Sequence, residues 1–208
     1  MTHSRLAGRG LYAITDGPRA NLPDVVTQAL IGGARVLQYR DKTADTARRH
    51  AEALALRQLC NAHAVPLIIN DDVALAVAVD AAGVHLGRDD DDVAAARAVL
   101  GAGAIIGVSC YDSLARARAA AAAGADYIAF GAFFPSPTKP DAVRASPELL
   151  RQSAALGLPR VAIGGITPDN APSLVEAGAD LLAVISAVFG ATDVHAAAQR
   201  FARLYPSD

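Results

Sequence analysis

Gln38, Arg40 and Lys42 stand at alternate positions where an apolar run turns polar, in Val36-Leu-Gln-Tyr-Arg-Asp-Lys42. Side chains on a strand alternate faces, so an amide, a guanidinium and an ammonium share one face, with Tyr39 and Asp41 on the other. Such a row at the mouth of a buried strand costs too much desolvation to stand without an anionic partner. That partner is either the chain's own carboxylates or a phosphorylated ligand. Asn70-Asp71-Asp72 and Asp89-Asp90 follow two further apolar runs, and Lys139 ends Pro135-Ser136-Pro137-Thr138-Lys139. Cations at Arg40, Lys42 and Lys139 suit diphosphate oxygens. Carboxylates at Asp71 and Asp90 suit a hard cation such as Mg²⁺, which takes one or two protein carboxylates and completes its shell from phosphate and water. Ser109, Gly164-Gly165 and Ile185-Ser186 close other runs, and bare backbone N–H groups at Gly165 and after it can approach a phosphate closely.

Plainer roles compete for the same residues. Asp71 and Asp72 also read as caps of a following helix, a role that suits Asp72 better. Asp91 and Asp92 read as the dipole-favoured opening of the next helix. Gly164-Gly165 could be a tight turn only, and Lys139 a solvated side chain in a proline-rich loop. His85 points along an otherwise apolar strand and reads as a hydrogen-bonded core residue, not a base. No Ser/His/Asp order and no metal-type histidine pair is present.

The elements that must position these residues alternate regularly. Short β-rich runs begin at Leu11, Val36, Pro66, Val84, Ala104, Tyr127, Arg160 and Leu181. Between them lie Ala-rich helical patterns over 22–32, 44–63, 72–79, 91–100, 113–123, 147–156, 169–177 and 193–204, each end uncertain by about 2–4 residues. That alternation calls for parallel strands with crossover helices. Gly32-Gly33-Ala34, Ala82-Gly83-Val84, Ala123-Gly-Ala-Asp126 and Ala177-Gly-Ala-Asp180 form a weak repeat, in which glycine is expected as a left-handed C-cap before each strand. The pattern predicts one α/β domain over 1–208, a single-domain (β/α)8 TIM barrel with residues 1–9 as a flexible N-terminus. In such a barrel the chemistry gathers at the C-terminal ends of the strands, where the polar residues above fall. A doubly wound open sheet is the runner-up, but no GxGxxG follows the first strand.

The bulk numbers agree with one domain of 208 residues. A net charge of −2 gives no basic footprint for nucleic acid or an acidic membrane. Cys60 and Cys110 fit neither a CxxC nor a zinc spacing and read as inert thiols in a reducing cytoplasm. No signal-peptide h-region follows Met1, and the apolar run Leu181 to Gly190 is too short to span a bilayer. A cytoplasmic enzyme is expected, and a homo-oligomer is left open.

Taken in order, Gln38-Tyr-Arg-Asp-Lys42, Ile69-Asn-Asp-Asp72, Gly83-Val-His-Leu-Gly87 with Asp90, Gly107-Val-Ser109, Gly131 to Lys139, Val161-Ala-Ile-Gly-Gly-Ile-Thr167 and Val184-Ile-Ser186 resemble the thiamine-phosphate synthase family. The resemblance covers nearly the whole chain after its first ten residues. It implies a transferase of thiamine biosynthesis that condenses 4-amino-2-methyl-5-(diphosphooxymethyl)pyrimidine with 4-methyl-5-(2-phosphoethyl)thiazole, or its 2-carboxy form, releasing diphosphate. Carried over by position, Gln38, Arg40, Lys42, Asn70, Ser109 and Lys139 would hold the pyrimidine diphosphate, with Tyr39 and Asp41 in the same strand end. Asp71 and Asp90 would hold Mg²⁺. Ser136, Pro137, Thr138, Gly165, Ile185 and Ser186 would receive the thiazole phosphate. The implied mechanism is dissociative and needs no dedicated acid or base. Arg88 stands where the family usually has Gln, and Ser136 where Thr is common. A related thiazole tautomerase would want a proton-transfer residue near Gly131-Ala132, where this chain has an inert alanine. A catalytically idle phosphate-ligand sensor on the same barrel is the alternative from another class.

Overall fold

The computed structural model describes residues 6, 8–87, 92–135 and 144–205. Eight parallel strands follow one another around a closed barrel: β1 (Gly10–Ile14), β2 (Ala34–Tyr39), β3 (Leu67–Asn70), β4 (Gly83–Leu86), β5 (Ile105–Tyr111), β6 (Tyr127–Phe130), β7 (Arg160–Ile163) and β8 (Leu181–Val184). The ring closes where Leu11 of β1 pairs in register with Leu182 of β8. Between the strands run α1 (Leu22–Ile31), α2 (Thr46–Ala62), α3 (Val73–Ala78), α4 (Val93–Leu100), α5 (Leu114–Ala122), α6 (Glu148–Gln152) and α7 (Pro172–Glu176). A short α8 (Ser186–Phe189) and then α9 (Val194–Ala202) follow β8. The expected single-domain (β/α)8 barrel is the fold, and the open sheet is not.

Strand alternation divides the core in two. Leu11, Leu37, Ile69, Val84, Ile106 and Ile128 point outward and bury against the helices. Tyr12, Ile14, Val36, Ile68, Ile105, Tyr127 and Val161 fill the barrel itself. Outward-facing apolar residues need the helical layer, which is why each strand reads as a near-continuous apolar run.

Caps fix where several helices begin. Asp45, Asp72, Asp92, Ser113 and Asp193 each accept a hydrogen bond from a backbone N–H three residues on. Asp72 thus takes the capping role expected of it, and Asp92, expected at the helix opening, caps α4. The pattern over 169–177 shortens to α7 because Pro172 supplies a helix start and not an interior position. The pattern over 147–156 gives α6 and then a 3₁₀ turn over Ser153–Leu156.

Two expectations need correction. Gly33, Gly124 and Gly178 have positive φ and turn the chain into the next strand, but Gly83 does not. Asp80 makes that turn instead, at φ 52, and Gly83 is glycine because Ile105 O of the neighbouring strand would lie 1.8 Å from an added Cβ. The aspartates of the repeat, unassigned from sequence, are staples. Asp126 accepts from Ile106 N and Arg97, and Asp180 from Arg160 N and Nε, so each ties its strand to the preceding one. The flexible start expected over 1–9 does not extend to Leu6, which is 2% exposed in the barrel interior, or to Arg9, which stacks over Tyr205. No helix among the described residues is long and apolar enough to cross a membrane.

Candidate active site at the C-terminal mouth of the barrel

Strand β2 ends at Tyr39, so strict face alternation stops short of Arg40 and the loop geometry takes over. Thr15, just past β1, governs that loop: its Oγ1 accepts from Arg40 N at 2.8 Å and donates to Arg40 O at 3.1 Å. Its own N–H donates to Gln38 O. The Arg40 backbone is therefore fixed from a neighbouring strand, and its side chain is left to the mouth.

Tyr39 and Asp41 turn the other way. Tyr39 OH donates to Glu52 of α2 at 2.7 Å. Asp41 is buried and pairs with Arg48 of α2 at 2.8 Å, while Thr43 N donates to its other oxygen. Arg48 also reaches Glu52 at 3.0 Å and Thr43 Oγ1 at 2.5 Å. Both residues tie to α2 the loop that carries Arg40 and Lys42, and Asp41 also lines the cavity at the mouth.

Burial pushes the Asp41 carboxyl up, but hydrogen bonds from Thr43 and the Arg48 guanidinium outweigh it and hold it below the ordinary range. A folded-state value depressed in this way contributes stability above the unfolded value of about 4, and that stability is lost as pH falls through the folded value. Asp41→Asn is expected to lower the urea midpoint near neutral pH, with the gap to wild type closing as pH falls below the unfolded value of about 4. A gap of constant size in paired unfolding curves would show that the carboxylate charge is not what matters.

Lys42 and Asp71 meet across the mouth as an ion pair from the ends of β2 and β3. Asn70 Nδ2 donates to the same Asp71 oxygen at 2.6 Å. Asp71 sits at φ 63, a left-handed conformation rare for a side chain other than glycine, asparagine or aspartate. Its N–H donates to His85 O at 2.9 Å, which sets the carboxylate at the rim and not along the helix. Its neighbour Asp72 caps α3 and receives Arg49 at 2.7 Å. The sequence reading left Asp71 between a metal ligand and a helix cap; Asp72 takes the cap, and Asp71 neutralises Lys42. Lys42, Arg49, Asn70 and Asp71 line a cavity of about 240 Å³. That is below the roughly 300–1,000 Å³ of a whole small-molecule pocket, so it is one corner of a larger site.

Beneath the mouth runs a buried polar chain that crosses the barrel. Gln38 is 3% exposed, a layer below Arg40, and its Nε2 donates to Tyr12 OH at 2.8 Å. Tyr12 OH lies 2.7 Å from Tyr127 OH, which lies 2.9 Å from His85 Nδ1. His85 Nε2 lies 2.8 Å from Ser109 Oγ. Burial lowers the His85 pKa to about 4, against a smaller upward pull from Asp71, so the ring is neutral near pH 7. Burial raises both tyrosines well above their ordinary value, so each keeps its single proton. His85 is thus the hydrogen-bonded barrel residue expected, but the two tyrosines were missed. Their signal was available: Tyr12 and Tyr127 each sit at an inward position of an otherwise apolar strand, where a hydroxyl must find a partner.

Arg116 of α5, also missed, donates to Ser109 O at 2.8 Å and to Gly87 O at 2.9 Å, joining the ends of β5 and β4. On the opposite rim, Gly164 and Gly165 have φ of 101 and 63. Gly164 O accepts from Phe134 N, and a Cβ on Gly165 would lie 2.3 Å from Pro135 O, so the strand-7 turn packs directly under the Pro135 segment. Ile185 and Ser186 open α8, whose last carbonyl, Phe189 O, accepts from Arg19 at 2.9 Å. This short helix was read from sequence only as a turn. Burial pushes Cys60 up to about 12 and Cys110 up to about 11, which makes both thiols inert. Arg88, Asp90, Ser136, Pro137, Thr138 and Lys139 lie outside the described residues.

A family model described as thiamine monophosphate synthase matches residues 11–188. The chain is 62% identical over 194 residues to a thiamine-phosphate synthase of Xanthomonas campestris pv. campestris, covering 93% of this chain and 94% of that protein. It is 64% identical over 188 residues to one from Azoarcus sp., covering 89% and 91%. Its structure is similar to a solved thiamine phosphate pyrophosphorylase from Pyrococcus furiosus, with a TM-score of 0.85 at 38% identity over 97% of this chain and 96% of that one.

Proposed function

The chain belongs to the thiamine monophosphate synthase family, a thiamine-phosphate synthase by activity, and from that premise we propose how its mouth residues perform the reaction. The carbon–oxygen bond between the pyrimidine's methylene and its diphosphate breaks, and the electron pair leaves with the diphosphate. The aminopyrimidine stabilises the methylene cation left behind, and the thiazole nitrogen donates its lone pair to form the new carbon–nitrogen bond. The demand is to stabilise a departing anion and hold the second substrate close, not to move a proton.

Arg40, Lys42 and Lys139 supply the positive charge, and Asn70 and Ser109 supply hydrogen-bond donors. Asp71, with Asp90, would hold Mg²⁺, which neutralises charge on the diphosphate when bound. The donor chemistry fits such an ion, since the Asp71 carboxylate already takes a cation in Lys42. Ser136, Pro137, Thr138, Gly165, Ile185 and Ser186 form the thiazole-phosphate end. We propose that the enzyme works in the cytoplasm, where phosphorylated substrates of this kind are retained.

The observation that carries this reading is the convergence of Lys42, Arg49, Asn70 and Asp71 on one cavity at the ends of β2 and β3. Incubation with both precursors and Mg²⁺ should release diphosphate stoichiometrically with thiamine phosphate, and no release would sink it. Because Thr15 fixes the Arg40 backbone, Arg40→Ala should fold normally. It is expected to lower kcat/KM for the pyrimidine diphosphate by about 10²-fold, with the thiazole KM nearly unchanged. The reverse pattern in steady-state kinetics would remove Arg40 from the diphosphate.

A further inference from the structure

We infer that Tyr127 and His85 are positioning residues that orient the Ser109 hydroxyl as a hydrogen-bond donor to the departing diphosphate, through a one-directional chain that starts at the Gln38 amide. The inference rests on the diphosphate reading of Ser109 given above.

The direction follows from counting protons. The Gln38 nitrogen on Tyr12 only donates, so Tyr12 oxygen accepts there. Tyr12 has one proton and Tyr127 OH is 2.7 Å away, so that proton goes to Tyr127. The single Tyr127 proton then goes to His85 Nδ1. A neutral imidazole has one donor and one acceptor nitrogen, so with Nδ1 accepting, the N–H is on Nε2, facing Ser109 Oγ. Ser109 accepts it and keeps its own proton for a group outside the chain.

The other end sets the same requirement. Diphosphate oxygens only accept, so a serine beside them must donate. In the reverse direction Ser109 would spend its proton on His85 and turn lone pairs toward an anion. The Ser109 backbone is held separately by Arg116, so His85 governs the hydroxyl rotor. The Tyr127 ring lies over Gly107, where an added Cβ would come within 1.9 Å of it, so the phenol has little freedom to leave the chain.

The test begins with the ligand-free wild-type protein. Long-range ¹⁵N–¹H correlation spectra of histidine-labelled protein should show His85 as the Nε2–H tautomer. A dominant Nδ1–H form, or an even mixture, would overturn the inference. Tyr127→Phe keeps the ring over Gly107 and removes the donor. It should scramble the His85 tautomer and lower kcat by about 10-fold, with the thiazole KM unchanged and little further loss when Ser109→Ala is added. His85→Gln, which can still offer Ser109 an amide N–H, should retain more kcat than His85→Ala. Additive effects of Tyr127→Phe and Ser109→Ala, or no advantage of Gln over Ala, would leave the chain a purely structural network. Calorimetry of Ser109→Ala with Mg²⁺ and inorganic diphosphate separates the premise from the inference. Unweakened binding there would refute the diphosphate reading of Ser109, whereas weakened binding with an unchanged tautomer in Tyr127→Phe would refute the relay alone.

Discussion

Asp71→Asn is expected to lower kcat by about 10²–10³-fold while leaving the fold intact. The choice of asparagine matters. Asp71 holds φ 63, which asparagine adopts more readily than alanine, so the variant separates charge from backbone strain. An amide can still meet Asn70 at the rim, but it neither balances Lys42 nor offers a hard cation a charged oxygen. Two effects then combine: weaker Mg²⁺ binding in the presence of inorganic diphosphate, and loss of the geometry that keeps Lys42 over the mouth. Steady-state kinetics across a Mg²⁺ titration, with thermal unfolding as the control, would measure both. Unchanged kcat and unchanged Mg²⁺ dependence would reduce Asp71 to a partner of Lys42 and Asn70.

The largest expected effect on stability lies far from the chemistry. Gly83→Ala would place a methyl carbon 1.8 Å from Ile105 O, a backbone atom of the adjacent strand. Gly83 pairs in register with Ile105, and Ile105 N donates to Ala82 O, so the strand cannot withdraw without opening the β4–β5 ladder. In a closed barrel that opening propagates around the ring. A loss of about 3 kcal/mol or more in urea unfolding is expected, at the upper end of overpacking penalties. Gly103→Ala, with open space around its Cβ, is the matched control and should change stability by no more than about 0.5 kcal/mol. Equal effects of the two substitutions would contradict the steric account.

How much of this was legible beforehand depended on whether a feature is local. The alternation of β-rich runs with amphipathic stretches is a one-dimensional signal, and it located all eight strands and most helices. Caps are equally local, so Asp72 could be assigned as one from position alone, and Asp92 be placed at a helix opening. The short α8 escaped because four residues carry no helical period. Gly83 was misread because a glycine needed for strand contact looks, in sequence, like one needed for a left-handed turn.

By itself the sequence determined the barrel, the family and the ring of polar residues at strand ends, because each follows from period, composition and the order of short motifs. Tertiary structure alone decided what those residues face. Alternation assigned Tyr39 and Asp41 a common side, but only the packing of α2 against β2 showed that Glu52 and Arg48 claim them. Lys42 and Asp71 are far apart in the chain and meet only because β2 and β3 are neighbours at one height. Tyr12, Gln38, His85, Ser109 and Tyr127 come from five different strands, and their hydrogen bonds depend on strand register to within an ångström. Hydrogen bonds and ion pairs act over about 3–4 Å, whereas a sequence pattern fixes only which face a side chain takes, so the partner on that face is settled by the fold.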